Sequence, residues 1–205
     1  MTKKKILDAA IIEFSTYGFE NVTTKDIAKK ANVSEGSIFR YFKSKSDLLE
    51  SAILPSVKEM IPQELNNVSR NLLKNQVSLN FKNFLIKFYK NRYQFVLTHY
   101  PALKIYFAQL LFNYEGQKRF KRTVFKFESV YFLKLIKEMQ KQGEISQDVK
   151  PNAIIYEIIV QFVGSIIKLR FMYGNSQKIY KNIDSELNRI VSNIIKIYGG
   201  KKYNE

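Results

Sequence analysis

The chain has no cysteine and only one histidine, and both shortages exclude classes of chemistry. Without cysteine there can be no disulfide framework, no thiolate nucleophile and no cysteine-ligated metal site. A single histidine also excludes histidine-rich zinc sites and most catalytic triads. The sequence has neither a glycine-rich phosphate loop nor a carboxylate pair at motif spacing. We therefore expect no enzyme activity, no cofactor and no metal.

Residues that form turns are also scarce. The 205 residues include 8 glycines and 4 prolines, too few for a loop-rich β sandwich, while a hydrophobic content of 45% is too high for a disordered chain. Apolar residues recur at helical spacing, and nearly every glycine and proline falls between the periodic segments. The sequence therefore predicts an all-α protein of about nine helices.

Positive charge is in excess, with 34 lysines and arginines against 18 acidic residues and a formal net charge of +16. Such an excess indicates an anionic partner, which could be nucleic acid, a membrane surface or an acidic ligand. Residues 1–50 hold nine basic and seven acidic side chains, so they contribute only +2. A role for these first fifty residues therefore cannot be argued from bulk charge.

Two apolar segments bear on membrane association. The apolar run at the N-terminus is interrupted by Asp8 and Glu13, which argues against a signal peptide. The longest apolar stretch, residues 153–167, contains Glu157 and Gln161 and is expected to be too short to cross a bilayer. We therefore expect a soluble, cytoplasmic protein with no membrane partner. The alternative is a basic amphipathic helical protein that binds an anionic membrane surface.

The first fifty residues have the pattern of a helix-turn-helix. Periodicity predicts helices at 3–17, 24–31 and about 35–42. Thr23 and Ser34 are suited to cap the second and third helices, and Asn32 tolerates the left-handed conformation that a sharp turn requires. In a helix-turn-helix the second helix of the motif enters the DNA major groove. The alternative from spacing alone is an ordinary bundle of packed helices.

The residues that follow the turn favour close approach to DNA. Gly36 and Ser37 give the start of the third helix almost no bulk. A fourth helix is expected to begin at Ser46 or Asp47. Pro55 should end or kink this helix, and such a hinge could transmit ligand-driven motion.

A longer pattern joins these features. In order, the chain carries Ile6-Leu-Asp-Ala-Ala, Phe14, Tyr17-Gly-Phe-Glu, Thr23-Thr-Lys-Asp-Ile-Ala and Ala31-Asn-Val-Ser-Glu-Gly-Ser-Ile-Phe-Arg-Tyr-Phe-Lys-Ser-Lys-Ser-Asp-Leu-Leu. Without gaps over residues 5–52, these runs closely resemble the DNA-binding domain of TetR-family transcriptional regulators. The rest of the chain resembles the family only in its helical architecture.

The resemblance implies a sequence-specific DNA-binding regulator, usually a repressor. Residues 1–50 would form the helix-turn-helix domain that binds the operator in double-stranded DNA. Residues 51–205 would form the larger helical domain for ligand binding and homodimerisation, and a small-molecule effector would release the DNA.

Position by position, the resemblance also implies individual contacts. Five residues would lie nearest the bases: Thr24, Lys25, Glu35, Gly36 and Ser37. Four would meet the DNA backbone: Thr23, Phe39, Tyr41 and Lys45. The chain departs from the family at Asn32, where glycine is usual, and at Phe39, which lacks the usual tyrosine hydroxyl. Glu35 could accept a hydrogen bond from a cytosine amine or cap its own helix.

Periodicity predicts five further helices, over about 72–98, 101–113, 117–142, 151–174 and 176–198. Aromatic residues are dense between residues 80 and 132, so a pocket among these helices should be mainly apolar and suit a lipophilic or acyl effector. The candidate ligand-binding residues are Phe84, Phe88, Phe107, Leu111, Phe125, Phe132 and Phe162.

The last two predicted helices indicate a homodimer. One is apolar almost all round, which predicts burial on every side, and the other has a 4-3-4-3 apolar stripe. Two copies could pair them as a four-helix interface, although an intramolecular core would need the same pattern. The candidate interface residues are Ile158, Phe162, Ile166, Ile183, Leu187, Ile190 and Ile194.

Two charged features remain open at this point. Five basic residues lie within 118–126, either as a solvated face or as a site for a phosphate-bearing ligand. His99 lies near the end of its helix, where its charge could complement the helix dipole.

Overall fold

The computed structural model describes residues 2–59, 80–114, 117–118, 132–174 and 176–203. It confirms the all-α prediction. The helices are α1 Thr2–Tyr17, α2 Thr24–Ala31, α3 Glu35–Tyr41, α4 Lys45–Lys58, α5 Phe81–Thr98, α6 Tyr100–Phe112, α7 at 132–141, α8 Pro151–Tyr173 and α9 Ser176–Tyr198, followed by the 3₁₀ turn Lys201–Tyr203. The described parts contain no β-strand, only an isolated bridge between Ile145 and Gly199.

The chain forms two compact units, and their division does not follow a cut at residue 50. The first comprises Met1–Ile61 with Thr98–Lys126, and the second Pro62–Leu97 with Phe127–Glu205. The first unit extends beyond the helix-turn-helix because α4 and α6 pack against α1. The functional division into 1–50 and 51–205 stays a prediction.

The core of the first unit is almost entirely apolar. α1 supplies Ile6 and Phe14, α2 supplies Ile27, and α3 supplies Ile38, all of them at most 2% exposed. Tyr106 of α6 joins the same cluster. Burial of side chains of this size stabilises a fold by about 1.5–3 kcal/mol each, so this core holds the three short N-terminal helices in place.

The start of α4 differs from the prediction. α4 begins at Lys45, one or two residues before the predicted Ser46 or Asp47. The reason is that Ser44 caps the helix by accepting a hydrogen bond from the Asp47 N–H at 3.1 Å, while the Asp47 carboxylate accepts one from the Lys43 N–H at 2.8 Å. Pro55 lies inside α4, which continues to Lys58, so this proline does not end the helix.

Two predicted helices fall partly outside the described residues. The predicted helix over 72–98 is described from Phe81 onward, and the one over 117–142 is described at 117–118 and from 132 to 141. Most of the basic cluster at 118–126 also lies outside the described residues. The prediction for this cluster therefore stays open.

The second unit packs α5, α7, α8 and α9 around one core. Its C-terminus is fastened by the buried carboxylate of Glu144, which accepts hydrogen bonds from the Phe81 N–H at 2.9 Å and from the Tyr203 hydroxyl at 2.7 Å. Gly200 is required here, because a Cβ atom on it would lie 1.8 Å from the carbonyl oxygen of Gly143. The residues after α9 thereby hold the start of α5.

The prediction that α8 is buried on every side is wrong for the single chain. Tyr156, Val160, Ile167 and Phe171 are between 60% and 88% exposed, and they follow one another at helical spacing on one face. α8 is also long and apolar enough to cross a membrane by length and composition, contrary to the expectation from its sequence. Its opposite face nevertheless contributes Ile154 and other residues to the core of the second unit.

Candidate nucleic-acid interface

The start of α2 is fixed by a reciprocal pair of hydrogen bonds between Thr23 and Asp26. The Thr23 side chain accepts from the Asp26 N–H at 3.2 Å, and the Asp26 carboxylate accepts from the Thr23 N–H at 2.9 Å. Hydrogen bonds from the Thr23 hydroxyl and N–H also hold the pKa of Asp26 below its ordinary value. This capping box satisfies two backbone donors at the helix start and confirms the predicted cap at Thr23.

The turn between α2 and α3 has the predicted left-handed residue. Asn32 has φ 54° and ψ 54°, and its N–H donates to the carbonyl oxygen of Lys29 at 3.2 Å. The Val33 N–H then donates to the carbonyl oxygen of Ala28 at 3.0 Å. Because these bonds satisfy the last carbonyls of α2, the chain reverses sharply and α3 starts at a defined angle.

The exposed start of α3 has little side-chain bulk. Gly36 is exposed, and a Cβ atom on it would meet no other atom within 4 Å. Ser34 occupies the N-cap position, as predicted, but its side chain makes no hydrogen bond to the helix backbone. Its hydroxyl lies 2.9 Å from that of Ser37 instead. The backbone of the α3 tip is therefore open to close approach by a ligand surface.

Glu35 and Thr24 connect the starts of the two helices. The Thr24 hydroxyl donates to Oε1 of Glu35 at 2.5 Å, although eleven residues separate them. Glu35 lies in the first turn of α3, as its role at the helix N-terminus requires, but within the described part of the chain it accepts no hydrogen bond from the α3 backbone. The carboxylate is instead held at the junction of α2 and α3, beside the exposed tip.

The Lys45 side chain packs against the loop that precedes α2. Its ammonium donates to the carbonyl oxygen of Val22 at 2.9 Å and lies 4.4 Å from the centroid of the Phe19 ring. The side chain is half-buried, so it braces the loop before α2 in addition to carrying a positive charge. Its predicted contact with the DNA backbone remains a prediction.

The outer end of α3 presents aromatic side chains. Phe39 is 53% exposed and Tyr41 is 39% exposed. The Arg40 guanidinium lies 5.2 Å from the centroid of the Tyr41 ring. Arg40 was not among the DNA-contacting residues predicted from the sequence. The only signal for it there is a cation next to an aromatic residue. This exposed cation is a further candidate for contact with DNA phosphates.

Of the predicted DNA-contacting residues, the structure brings six together at the starts of α2 and α3. They are Thr23, Thr24, Lys25, Glu35, Gly36 and Ser37. The hydrogen bond between Thr24 and Glu35 joins the α2 residues of this group to the α3 residues. Phe39 and Tyr41 lie farther along α3, and Lys45 lies at the start of α4.

The candidate ligand-binding residues are divided between the two units. Phe107 is half-buried and Leu111 is 63% exposed in the first unit. In the second unit Phe84, Phe88 and Phe132 contact one another, with ring centroids 5.3–6.1 Å apart. The ring centroid of Phe162 lies 5.9 Å from that of Tyr89, and Phe125 falls outside the described residues.

Two buried tyrosine hydroxyls are polar groups within this aromatic cluster. Tyr89 donates to the carbonyl oxygen of Ile158 at 2.9 Å, and Tyr93 shares a 2.6 Å hydrogen bond with Ser165. Burial raises the pKa of Tyr89 and raises that of Tyr93 to about 12. Both side chains are therefore neutral near pH 7 and link α5 to α8.

The structure contradicts five of the predicted dimer contacts. Ile158, Ile183, Leu187, Ile190 and Ile194 are at most 9% exposed, because they form the core of their own chain. The 4-3-4-3 stripe of α9 faces α5 and α8 of the same chain and leaves a mostly polar surface outside. Phe162 and Ile166 are half-buried at the edge of that core and stay predictions.

The capped α2, the left-handed turn and the exposed α3 define a helix-turn-helix domain. Residues 6–52 match the family described as bacterial regulatory proteins, tetR family. The N-terminal domain therefore matches this family, as the sequence resemblance indicated.

Two curated relatives show the extent of this likeness in sequence. Over 52 residues, 25% of the chain and 28% of the relative, the chain is 52% identical to the uncharacterized HTH-type transcriptional regulator YvkB of Bacillus subtilis. Over 66 residues, 31% of the chain and 30% of the relative, it is 35% identical to the probable acrEF/envCD operon repressor of Escherichia coli K12. The chain thus matches less than a third of the length of these curated relatives.

The fold is similar over nearly the whole chain. The transcriptional regulator FadR of Bacillus subtilis, solved in complex with stearoyl-CoA, superimposes with a TM-score of 0.64 at 18% sequence identity. The match covers 92% of this chain and 97% of that protein. At this identity the likeness establishes a common fold for the chain.

Proposed function

We propose that the protein is a homodimeric, sequence-specific DNA-binding regulator that represses transcription and leaves its operator when a mainly apolar effector binds. The observation that carries this proposal is the α3 tip, where Gly36 leaves the backbone open directly after a capped α2 and a fixed left-handed turn. A helix tip of this kind fits the major groove. The curated relative from E. coli, named as a probable repressor, supports the direction of regulation.

Dimerisation is part of the proposal because one recognition helix makes too few contacts for useful affinity. Two copies would place their α3 helices about 34 Å apart, one turn of DNA. The outward face of α8 supports this arrangement, since Tyr156, Val160, Ile167 and Phe171 form an exposed apolar face with the small Gly164 among them. A second copy that covered this face would remove it from water.

The effector class follows from the aromatic cluster of the second unit. Apolar pockets bind lipophilic molecules, and a pocket that opened within this cluster would be lined mainly by aromatic side chains. The neighbouring FadR structure holds stearoyl-CoA, which supports an acyl or other lipophilic effector here. The proposal places the protein in the cytoplasm, where DNA and acyl metabolites are both present, and assigns it no enzyme activity.

A comparison of DNA binding with membrane binding tests the proposal. The purified full-length chain is mixed with a random duplex pool, and in parallel with liposomes of anionic lipid, at two salt concentrations. We expect retention of a sequence-selective subset of duplexes and no flotation with the liposomes. Flotation together with unselective DNA binding would instead support the membrane-surface alternative, which the net charge of +16 and the apolar α8 favour.

A variant at the helix tip makes the test specific. Gly36→Phe should fold normally because the site has open space, but its ring should block approach to the groove. We expect its affinity for the selected duplexes to fall about tenfold or more. Ser185→Phe, which adds the same ring at an exposed position on α9, is the matched control and should leave DNA affinity unchanged. Unchanged affinity of Gly36→Phe would contradict the proposal.

A further inference from the structure

The side chain of Glu35 is oriented by a neighbour rather than left free to rotate. It is exposed at the first position of α3, and its Oε1 accepts the hydrogen bond from the Thr24 hydroxyl at 2.5 Å. Thr24 is half-buried, so the donor is itself fixed. Within the described part of the chain, Oε2 of Glu35 accepts no hydrogen bond. A carboxylate oxygen with unused acceptor capacity is therefore held beside the open backbone of Gly36.

We infer that Glu35 is a specificity-determining residue of the DNA interface, and that it selects a cytosine whose N4 amine points into the major groove. This inference rests on the proposed function, because it requires that the α3 tip enters that groove. Thr24 acts as a positioning residue: its hydroxyl proton is used by Glu35, so it directs the carboxylate instead of donating to a base.

The chemistry of the groove edges leads to this choice. An ionised carboxylate can only accept hydrogen bonds. Guanine presents O6 and N7 acceptors and thymine presents O4, so both repel it. Cytosine and adenine present amine donors, but the adenine amine lies beside the N7 acceptor, which would repel the carboxylate. Cytosine presents only its N4 amine, so it is the base that suits the unused Oε2 of Glu35.

Charge gives a second reason to assign Glu35 a selective role. A negative side chain at a DNA interface opposes binding to phosphates and lowers affinity for every sequence alike. Residues 1–50 have a net charge of only +2, so this domain has little positive charge to offset that repulsion. A carboxylate held at the tip is consistent with selection by repulsion of the wrong bases.

Two variants separate the role of the carboxylate from that of its position. Glu35→Gln retains an oxygen that can accept from Thr24 but adds an N–H donor, the pairing that suits adenine N6 and N7. Thr24→Val preserves shape and removes the hydroxyl that orients Glu35. Glu20→Gln, at an exposed glutamate in the loop before α2, is the matched control for loss of one negative charge.

The experiment is parallel selection of random duplexes by the four full-length proteins, followed by sequencing, with circular dichroism to confirm that each one is folded. For the wild type we expect one position in each half-site at which cytosine is enriched. In Glu35→Gln the cytosine preference at that position should fall about fivefold or more and shift toward adenine. In Thr24→Val the preference should broaden there alone, and Glu20→Gln should select the wild-type motif.

The outcomes distinguish this inference from the proposed function. If the wild type enriches no motif, the proposed function fails. If the wild type enriches a motif and Glu35→Gln selects the same bases at every position, the assignment of Glu35 is overturned, including the case in which the variant merely binds all duplexes more tightly. If Thr24→Val is folded and selects the wild-type motif with the same preference, the positioning role of Thr24 is overturned.

Discussion

The ammonium of Lys45 donates a hydrogen bond to the carbonyl oxygen of Val22 at 2.9 Å, so the start of α4 is joined to the loop that precedes α2. The same ammonium lies 4.4 Å from the Phe19 ring centroid, where it gains a cation–π contact. One side chain thus supports the helix-turn-helix and carries one of its positive charges.

Lys45→Met should therefore reduce both stability and DNA affinity. Loss of the hydrogen bond and the ring contact should lower the free energy of unfolding by about 1 kcal/mol, measured by urea denaturation. Loss of the charge should weaken binding to all duplexes similarly and reduce the salt dependence of binding by about one phosphate contact. Lys30→Met, at an exposed lysine of α2, should leave stability nearly unchanged. A selective loss for one sequence would contradict the assignment to backbone contact.

The turn residue gives a prediction about stability alone. Asn32 has a positive φ of 54°, a conformation that costs most residues about 1 kcal/mol but costs asparagine little and glycine nothing. Asn32→Ala should lower the free energy of unfolding by about 1 kcal/mol, whereas Asn32→Gly should stay close to the wild type. Thermal denaturation of both variants checks this. Equal destabilisation by alanine and glycine would show that the asparagine side chain matters, not the backbone angle.

The pair of ion contacts at Glu186 predicts a pH dependence of stability. Burial would raise the pKa of this carboxyl, but hydrogen bonds from Arg189 at 2.6 Å and Lys168 at 2.7 Å lower it below the ordinary 4.5. Because the folded state favours the charged form, the contribution of this carboxylate to the free energy of unfolding is full above a pH of about 5. It is lost as the pH falls through the lowered pKa. In Glu186→Gln, part of the acid destabilisation of the wild type should disappear. Urea denaturation from pH 3 to pH 7, about two units on either side of 5, checks this.

The control for that experiment is Asp184→Asn, whose carboxylate pairs with Lys90 at 3.6 Å on an exposed surface. An exposed pair contributes little to stability, so this variant should retain the acid dependence of the wild type. If Glu186→Gln and the wild type lost stability in parallel on acidification, the ion contacts at Glu186 would not be the cause.

The outward face of α8 should set the oligomeric state. Ile167 is 64% exposed in the single chain, so Ile167→Glu should leave the fold intact but place two charges in the proposed interface. Native mass spectrometry should find a dimer for the wild type and a monomer for this variant, with weaker DNA binding as a consequence. Ser185→Glu, on the polar outer face of α9, should remain dimeric. A dimeric Ile167→Glu protein would place the interface elsewhere.

The helix-turn-helix could be predicted closely because its signals are local. Thr23 and Asp26 are three residues apart, and Asn32 acts through its own backbone angle, so neither needs knowledge of distant contacts. The exception is Ser34, whose hydroxyl meets Ser37 instead of the helix backbone. The hydrogen bond between Thr24 and Glu35 crosses two helices, and no spacing rule indicates it.

The second unit shows the limit of periodicity. The stripe that includes Leu187 and Ile190 correctly indicates an apolar face on α9, but the pattern is the same whether the partner is the same chain or a second copy. α8 is apolar all round, so its sequence cannot distinguish the core face at Ile158 from the exposed face at Val160. Only the packing of α5, α7 and α9 around α8 determines which face is covered.

The most direct test of the central claim is the sequence of the duplexes that the wild-type protein retains from a random pool. If two α3 tips read DNA together, the retained sequences should share a motif with two-fold symmetry and half-sites one helical turn, about 34 Å, apart. Retained duplexes with no common motif, at salt concentrations where binding is still measurable, would contradict this account of the protein.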